Sequence, residues 1–188
     1  EDLDRERAGI SERLASLKSA LVNDNRFRLA AVAGVESERS YLLDYAGTAM
    51  RLTGLSMLQI QDGEGQIISS GHFRNEHGRV EPELVSALAN ARGVALMTTR
   101  GPQREFLALA RVESFSIADR TFSLVGGVAV DEAFLARLAR DRAIIVSLVY
   151  PGGELSTVRL PSTSLGPGKP GTTARGAAFP PAVGGLRG

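Results

Sequence analysis

One apolar seam on an otherwise charged helix constrains this chain more than any other feature. Leu3, Ile10, Leu14, Leu17 and Leu21 recur at spacings of seven, four, three and four, with Arg, Glu and Asp filling the positions between them. That pattern predicts a helix from Glu1 to about Ala33, and no proline interrupts it before Pro82. A helix this polar cannot lie inside a core. Its seam needs one apolar partner, either a sheet of its own domain or a second copy of itself in a dimer stalk leading toward a membrane span.

The remaining pattern fills in that partner. Tyr41, Leu42, Tyr45, Ala49 and Leu52 give a second helix, about Glu36 to Leu52, bounded by Gly34 and Gly54. The period then changes from helical to alternating. Leu58 and Ile60 alternate with Gln59 and Gln61, which predicts a half-exposed strand, and Ile67-Ile68 forms the return strand after Asp62-Gly63-Glu64-Gly65. Pro82 suits the first turn of a helix over Glu81 to Ala91, closed by Gly93. Strands are predicted over Val94 to Thr99, Glu105 to Glu113 and Arg120 to Val130. Asp131 then caps a helix ending near Arg142, before a last strand over Ala143 to Tyr150. Neighbouring strands on short loops favour an antiparallel sheet with helices grouped beside it, an α+β fold. Three parts follow: an N-terminal helical segment (1–53), a core (54–160), and a Gly/Pro-rich tail (161–188) that reads as linker.

Composition excludes several functions. The 188 residues are 43% apolar and 23% charged, ordinary for a globular domain. A net charge of +1 gives no field for nucleic acid, and the arginines that dominate the 22 basic residues are scattered. The absence of cysteine removes disulfides, thiolate metal sites and a cysteine nucleophile. No run approaches the ~18 apolar residues of a membrane span. The chain opens on Glu1 in mid-pattern, so it reads as a fragment whose flanks include membrane spans.

Motifs that carry chemistry are weak. Gly126-Gly127 lacks the third glycine of a dinucleotide loop and lies inside a strand, where a bulge or a close backbone approach is the expected reading. Gly166-Pro167-Gly168-Lys169 lacks the Ser/Thr of a phosphate loop. Asp62 and Glu64 lack the further oxygen ligands of a calcium loop. His72 and His77, the two histidines, have no ligand spacing and read as surface-loop residues. No cofactor or metal is implied, and no catalytic residue is assigned.

The order of elements, with the stretches MLQIQDGEGQIISSG and FLALARVESFSIADRTFSLVGGVAVDEAFLARLARDRAIIVSLVYPGGEL, resembles the Cache class of extracytoplasmic PAS-like sensor domains of bacterial membrane receptors. The matching positions are Asp62 to Gly65, Ser70-Gly71, Gly126-Gly127, Asp131 and Gly152-Gly153, over roughly Asp2 to Leu160. The resemblance implies two helices packed on a central antiparallel PAS-like sheet of about five strands. It implies a periplasmic domain of an inner-membrane two-component sensor histidine kinase, without catalytic activity of its own, forming a homodimer through the N-terminal helix. It also implies a small-molecule ligand, a carboxylate being one candidate class. Polar side chains near the sheet are the candidate ligand residues: Tyr41, Tyr45, Ser70, His72 and Arg111. Arg111 interrupts an apolar strand, so it faces either a carboxylate ligand or solvent. Three alternatives stand beside this reading: the ligand-binding domain of a chemotaxis receptor, a cytoplasmic PAS or GAF regulatory module, and a small hydrolase. The hydrolase requires a histidine–acid pair at bonding distance in a polar cleft.

Overall fold

The computed structural model describes residues 2–91, 93–139, 147–150 and 153–156; the tail over 161–188 lies outside them. Its elements are α1 (Asp2–Asn23), α2 (Asn25–Ala31), α3 (Arg39–Thr53), β1 (Met57–Asp62), β2 (Ile67–Ser70), α4 (Pro82–Asn90), β3 (Ala95–Arg100), β4 (Glu105–Ile117), β5 (Arg120–Ala129), α5 (Glu132–Leu138), β6 (Ser147–Tyr150) and β7 (Gly153–Ser156). Short 3-10 turns cover Glu36–Glu38 and Arg74–Glu76.

Five strands form one sheet in the order β2-β1-β5-β4-β3, with every neighbouring pair antiparallel. A separate hairpin pairs β6 with β7. The fold class is α+β, as the alternation and short loops predict, and PAS-like, as the resemblance implies.

The seam finds its partner within the chain. Ile10, Leu14, Leu17 and Leu21 are all buried in one cluster with Leu58, Ile60, Leu109, Leu124 and Val128 of the sheet. Each of these side chains contributes roughly 1.5–3 kcal/mol on leaving water. Polar anchors flank the seam: Arg7 donates to the Val94 carbonyl at 3.1 Å, and Lys18 reaches Glu113 at 3.5 Å. A second copy meeting α1 would therefore face its polar side.

The predicted single helix to Ala33 is two helices. The Asp24 carboxylate accepts the Phe27 amide at 2.9 Å, which ends α1 and starts α2. Asn23-Asp24-Asn25 are all residues whose side chains compete for backbone groups, so local chemistry ends the helix just beyond the last seam residue, Leu21. β4 runs on to Ile117, past the predicted Glu113, because Phe115 and Ile117 continue the buried alternation. Asp131 caps α5 as expected, accepting from the Phe134 amide at 2.7 Å.

The hairpin turn holds itself together. Asp62 accepts from the amides of Glu64 and Gln66 at 3.0 and 2.9 Å, and Gly65 takes φ +81°. At Gly126-Gly127 the expected close approach is present. A Cβ on Gly126 would lie 2.6 Å from Leu14, and one on Gly127 would lie 2.2 Å from the Leu109 carbonyl oxygen.

Candidate functional site

The opposite face of the sheet is built differently. Met57, Met97, Ala108, Ala110 and Val125 form a smaller apolar cluster there with Leu88 of α4. Beside it the same face turns polar. Gln59 and Gln61 alternate with Leu58 and Ile60, so if Leu58 and Ile60 face α1 the glutamines face away. Register extends the polar patch: Gln59 pairs with Ser70 and Val125, and Gln61 pairs with Ser123.

This face is not solvent-exposed. Gln59 and Gln61 are 1% and 0% exposed, so the predicted half-exposed strand is buried on both faces. Residues 71–81 enclose it. They leave the end of β2, pass through the turn at Arg74–Glu76, and return along the edge of β2. There Ile67 donates to the Arg79 carbonyl, Gly78 to the Ile67 carbonyl, and Glu81 to the Gly65 carbonyl, each at 2.8 Å. Gln61 Nε2 donates to the Glu81 carbonyl at 3.3 Å, tying the face to its cover.

Under this cover the side chains of His72 and Glu76 are 3% and 5% exposed. The surface position expected of the histidines holds for His77 and fails for His72, whose ring turns inward against the Phe106 ring at 6.2 Å. His72 Nδ1 lies 3.2 Å from the Leu58 carbonyl, and Nε2 lies 3.4 Å from Thr99 Oγ1 and 3.6 Å from Glu76 Oε2. Arg79 stands 3.6 Å from Glu76 Oε1 and pairs with Glu81. Burial pushes the Glu76 carboxyl up to about 7, with Glu81 adding to it and Arg79 and Arg100 opposing. Burial pushes the His72 imidazole below its usual value.

Three buried atoms here have no hydrogen-bond partner among the described residues: Gln59 Nε2, Gln61 Oε1 and Arg79 Nη1, the last of which keeps its ion-pair contact with Glu76 at 3.6 Å. An unmet buried donor or acceptor costs on the order of 1–3 kcal/mol, so such groups mark places where a partner is expected. Two are donors and one is an acceptor, which suits an anionic or carbonyl group together with a donor of its own.

The arrangement is not a hydrolytic triad. Thr99 and Glu76 both face Nε2, whereas a triad needs its acid on the nitrogen opposite the nucleophile. Here a main-chain carbonyl holds that position.

The residues singled out from sequence fall in three places. Ser70 and His72 belong to the enclosed patch. Tyr41 and Tyr45 lie at the helical layer, lining a groove of about 300 Å³ with Leu17, Asp24, Asp44 and Thr48. Tyr41 bonds to the Asp24 carboxylate under the Arg26 guanidinium, and burial raises both phenols above their usual value, with Asp24 adding to it. Arg111 points toward α1, bound to Glu113 at 2.8 and 2.9 Å and 3.5 Å from Ser11 Oγ. The structure does not bring these three groups together. Gln59, Gln61, Glu76 and Arg79 are further residues of the site; the signal for the glutamines is the polar half of the alternating strand, while Glu76 and Arg79 lie in a loop whose sequence carries none.

Comparison with solved structures places the fold. The periplasmic domain of Vibrio cholerae LuxQ superposes with a TM-score of 0.50 at 16% identity, covering 85% of this chain and 79% of that one. A selenomethionine structure of the same domain gives 0.51 at 15% identity, over 84% and 78%. The sensor domain of the V. cholerae histidine kinase DctB gives 0.50 at 13% identity, over 83% of this chain and 64% of that one. The chain has the fold of these sensor domains. No protein-family model matches its sequence, and no curated protein matches it. Within the sensor-domain fold, the enclosed polar patch lies on the sheet face away from α1. Among the described residues no helix is long and apolar enough to cross a membrane.

Proposed function

We propose that this domain is the extracytoplasmic sensory part of a two-component histidine kinase, and that it binds a small carboxylate under residues 71–81. The observation that carries this reading is the pair of unmet buried amide atoms, Gln59 Nε2 and Gln61 Oε1, on a face closed from solvent. The half-buried Arg79 stands at its edge, its Nη1 3.6 Å from Glu76 Oε1. Gln59 and Arg79 supply donors to the carboxylate, while Gln61 accepts from an amino or hydroxyl group. Ser70 and His72 complete the wall. The domain performs no chemistry on the ligand. The sensor-domain fold shared with DctB and LuxQ supports the kinase setting and the periplasmic location.

Binding acts by preferring one arrangement of the cover. α1 packs on the other face of the same strands, so a shift in β1 or β5 reaches the helix through Leu58 and Gly126. A homodimer would form through the exposed polar side of α1, where Ala8, Glu12, Ala15 and Ser19 lie.

Thermal-shift measurements on the 188-residue chain, against a panel of small carboxylates and amino acids, test the site. A ligand at a hundred times its dissociation constant adds about 2.7 kcal/mol, a rise in Tm of roughly 5–10 °C for a chain this size. The double variant Gln59→Leu/Arg79→Gln abolishes that rise, whereas Arg111→Ala keeps it. An equal rise in the double variant and the parent chain contradicts the assignment.

A further inference from the structure

The His72–Glu76 pair has a property that recognition of a carboxylate does not require. The Leu58 carbonyl can only accept, so at 3.2 Å it fixes the proton of the neutral imidazole on Nδ1. Nε2 is then left with its lone pair toward Glu76 Oε2 at 3.6 Å and the Thr99 hydroxyl at 3.4 Å. With no proton on either partner, a lone pair faces a carboxylate where both side chains are at least 95% buried. With one proton, the two are either both neutral or an ion pair. The Thr99 hydroxyl can donate to Nε2, and two such groups buried 3.6 Å apart, beyond hydrogen-bond distance, favour holding one proton between them over none.

The neighbouring charges come from two elements. On the cover itself Glu81 lies beside Arg79, and Arg79 stands 3.6 Å from Glu76 Oε1. Arg100, the last residue of β3, draws the carboxyl toward ionisation, and so does the Ser70 hydrogen bond. The other neighbours of the pair, Leu58, Thr99 and Phe106, carry no charge. On the outer side Arg74 is engaged with Asp44 of α3 at 2.9 Å, and both are exposed.

We propose that His72 and Glu76 together form a proton-binding site whose loading sets how firmly residues 71–81 hold to the sheet, so that the cover responds to pH. This regulates the site assigned above, but it does not depend on which molecule that site binds. In the folded chain the Glu76 carboxyl titrates at about 7, above its ordinary value of 4.5. The fold thus holds a proton that the open chain releases. The stabilisation is complete below 4.5 and is lost as pH rises through about 7. His72 works in the opposite sense: its folded value is depressed, so stability is lost as pH falls below its ordinary 6.5.

Amide hydrogen exchange of residues 71–81 in the ligand-free 188-residue chain, corrected for intrinsic rate between about pH 5 and pH 8.5, reads this directly. In the parent chain the two groups oppose each other below 6.5, so protection of the cover changes little there, falls as pH rises from 6.5 through about 7, and is level beyond. Glu76→Gln, which keeps the shape of a protonated carboxyl, leaves His72 acting by itself, so protection rises toward pH 6.5 and shows no fall beyond it, and His77→Asn follows the parent chain. An identical fall in Glu76→Gln, or none in the parent chain, overturns the proposal. Should Glu76→Gln fail to fold, the His72 ring resonance of the parent chain decides. An inflection at about 7 from its neighbour supports the shared proton, and a single inflection at 6.5 refutes it. No ligand enters either experiment, so a failed carboxylate screen and a failed proton test remain distinguishable.

Discussion

Phe27→Ala lowers Tm by roughly 6–20 °C, which corresponds to a loss of about 3–5 kcal/mol for a deleted buried aromatic ring in a chain of this length. Phe27 is fully buried, and it is the one residue of α2 that is. Its ring meets Tyr45 of α3 at 5.7 Å, Phe122 of β5 at 5.7 Å and Phe115 of β4 at 6.3 Å, with steep interplanar angles at the two nearer contacts. Such edge-on pairs add to the burial. A seven-residue helix does not persist in water by itself, so removing its one fully buried side chain loosens α2 as well as deleting a ring. Differential scanning calorimetry measures the change. A drop of only a degree or two would mean that α2 is held by its Asp24 cap instead.

Gly127→Ala is the second large effect, and it acts through backbone. The added Cβ lies 2.2 Å from the Leu109 carbonyl oxygen and 2.8 Å from the Ala110 Cα. Neither atom can move aside as a flexible side chain does, because β4 is paired on both sides, to β5 and to β3. The strands must separate locally, at a cost of about 3 kcal/mol and a Tm lower by roughly 6–12 °C. Gly126→Ala acts on the other face, where its Cβ meets the movable Leu14 side chain at 2.6 Å, and is the milder of the two. Equal melting temperatures for Gly127→Ala and the parent chain would contradict the register at Gly127–Ala110.

Much of the fold was legible because it rests on periodicity and turn chemistry. The α1 stripe, the alternation in β1, Pro82 at the start of α4 and the Asp131 cap each name their own element. The break at Asp24 was legible too, in the cap-forming residues Asn23 to Asn25 and in the end of the apolar seam at Leu21. The site was less legible. Alternation in β1 reports that the two faces differ in polarity, and Gln59 and Gln61 read as facing water. What buries them is residues 71–81, a polar segment with no period of its own, held by main-chain bonds to Ile67 and Gly65 that sequence does not display. His72 went the same way: in a loop of Arg, Asn, Glu and Gly it looks exposed, and only the return along β2 turns its ring inward. The tyrosines and Arg111 were singled out as polar groups near the sheet, which they are. Asp24, the partner of Tyr41, lies in another element, beyond the reach of spacing arguments. Glu113, the partner of Arg111, stands two residues on in the same strand, on the same face, and was within that reach.

The central claim is that the ligand lies under residues 71–81, against Gln59, Gln61 and Arg79. The most direct measurement follows the side-chain amide resonances of Gln59 and Gln61 by nitrogen-15 NMR while the carboxylate or amino acid that most raises Tm is added. The account predicts large shifts of both amides, saturating with the same midpoint as the thermal shift, while the main-chain amides of Tyr41, Tyr45 and Arg111 stay in place. Shifts confined to the groove at Tyr41 and Tyr45, with the Gln59 and Gln61 amides unmoved at saturation, would contradict it.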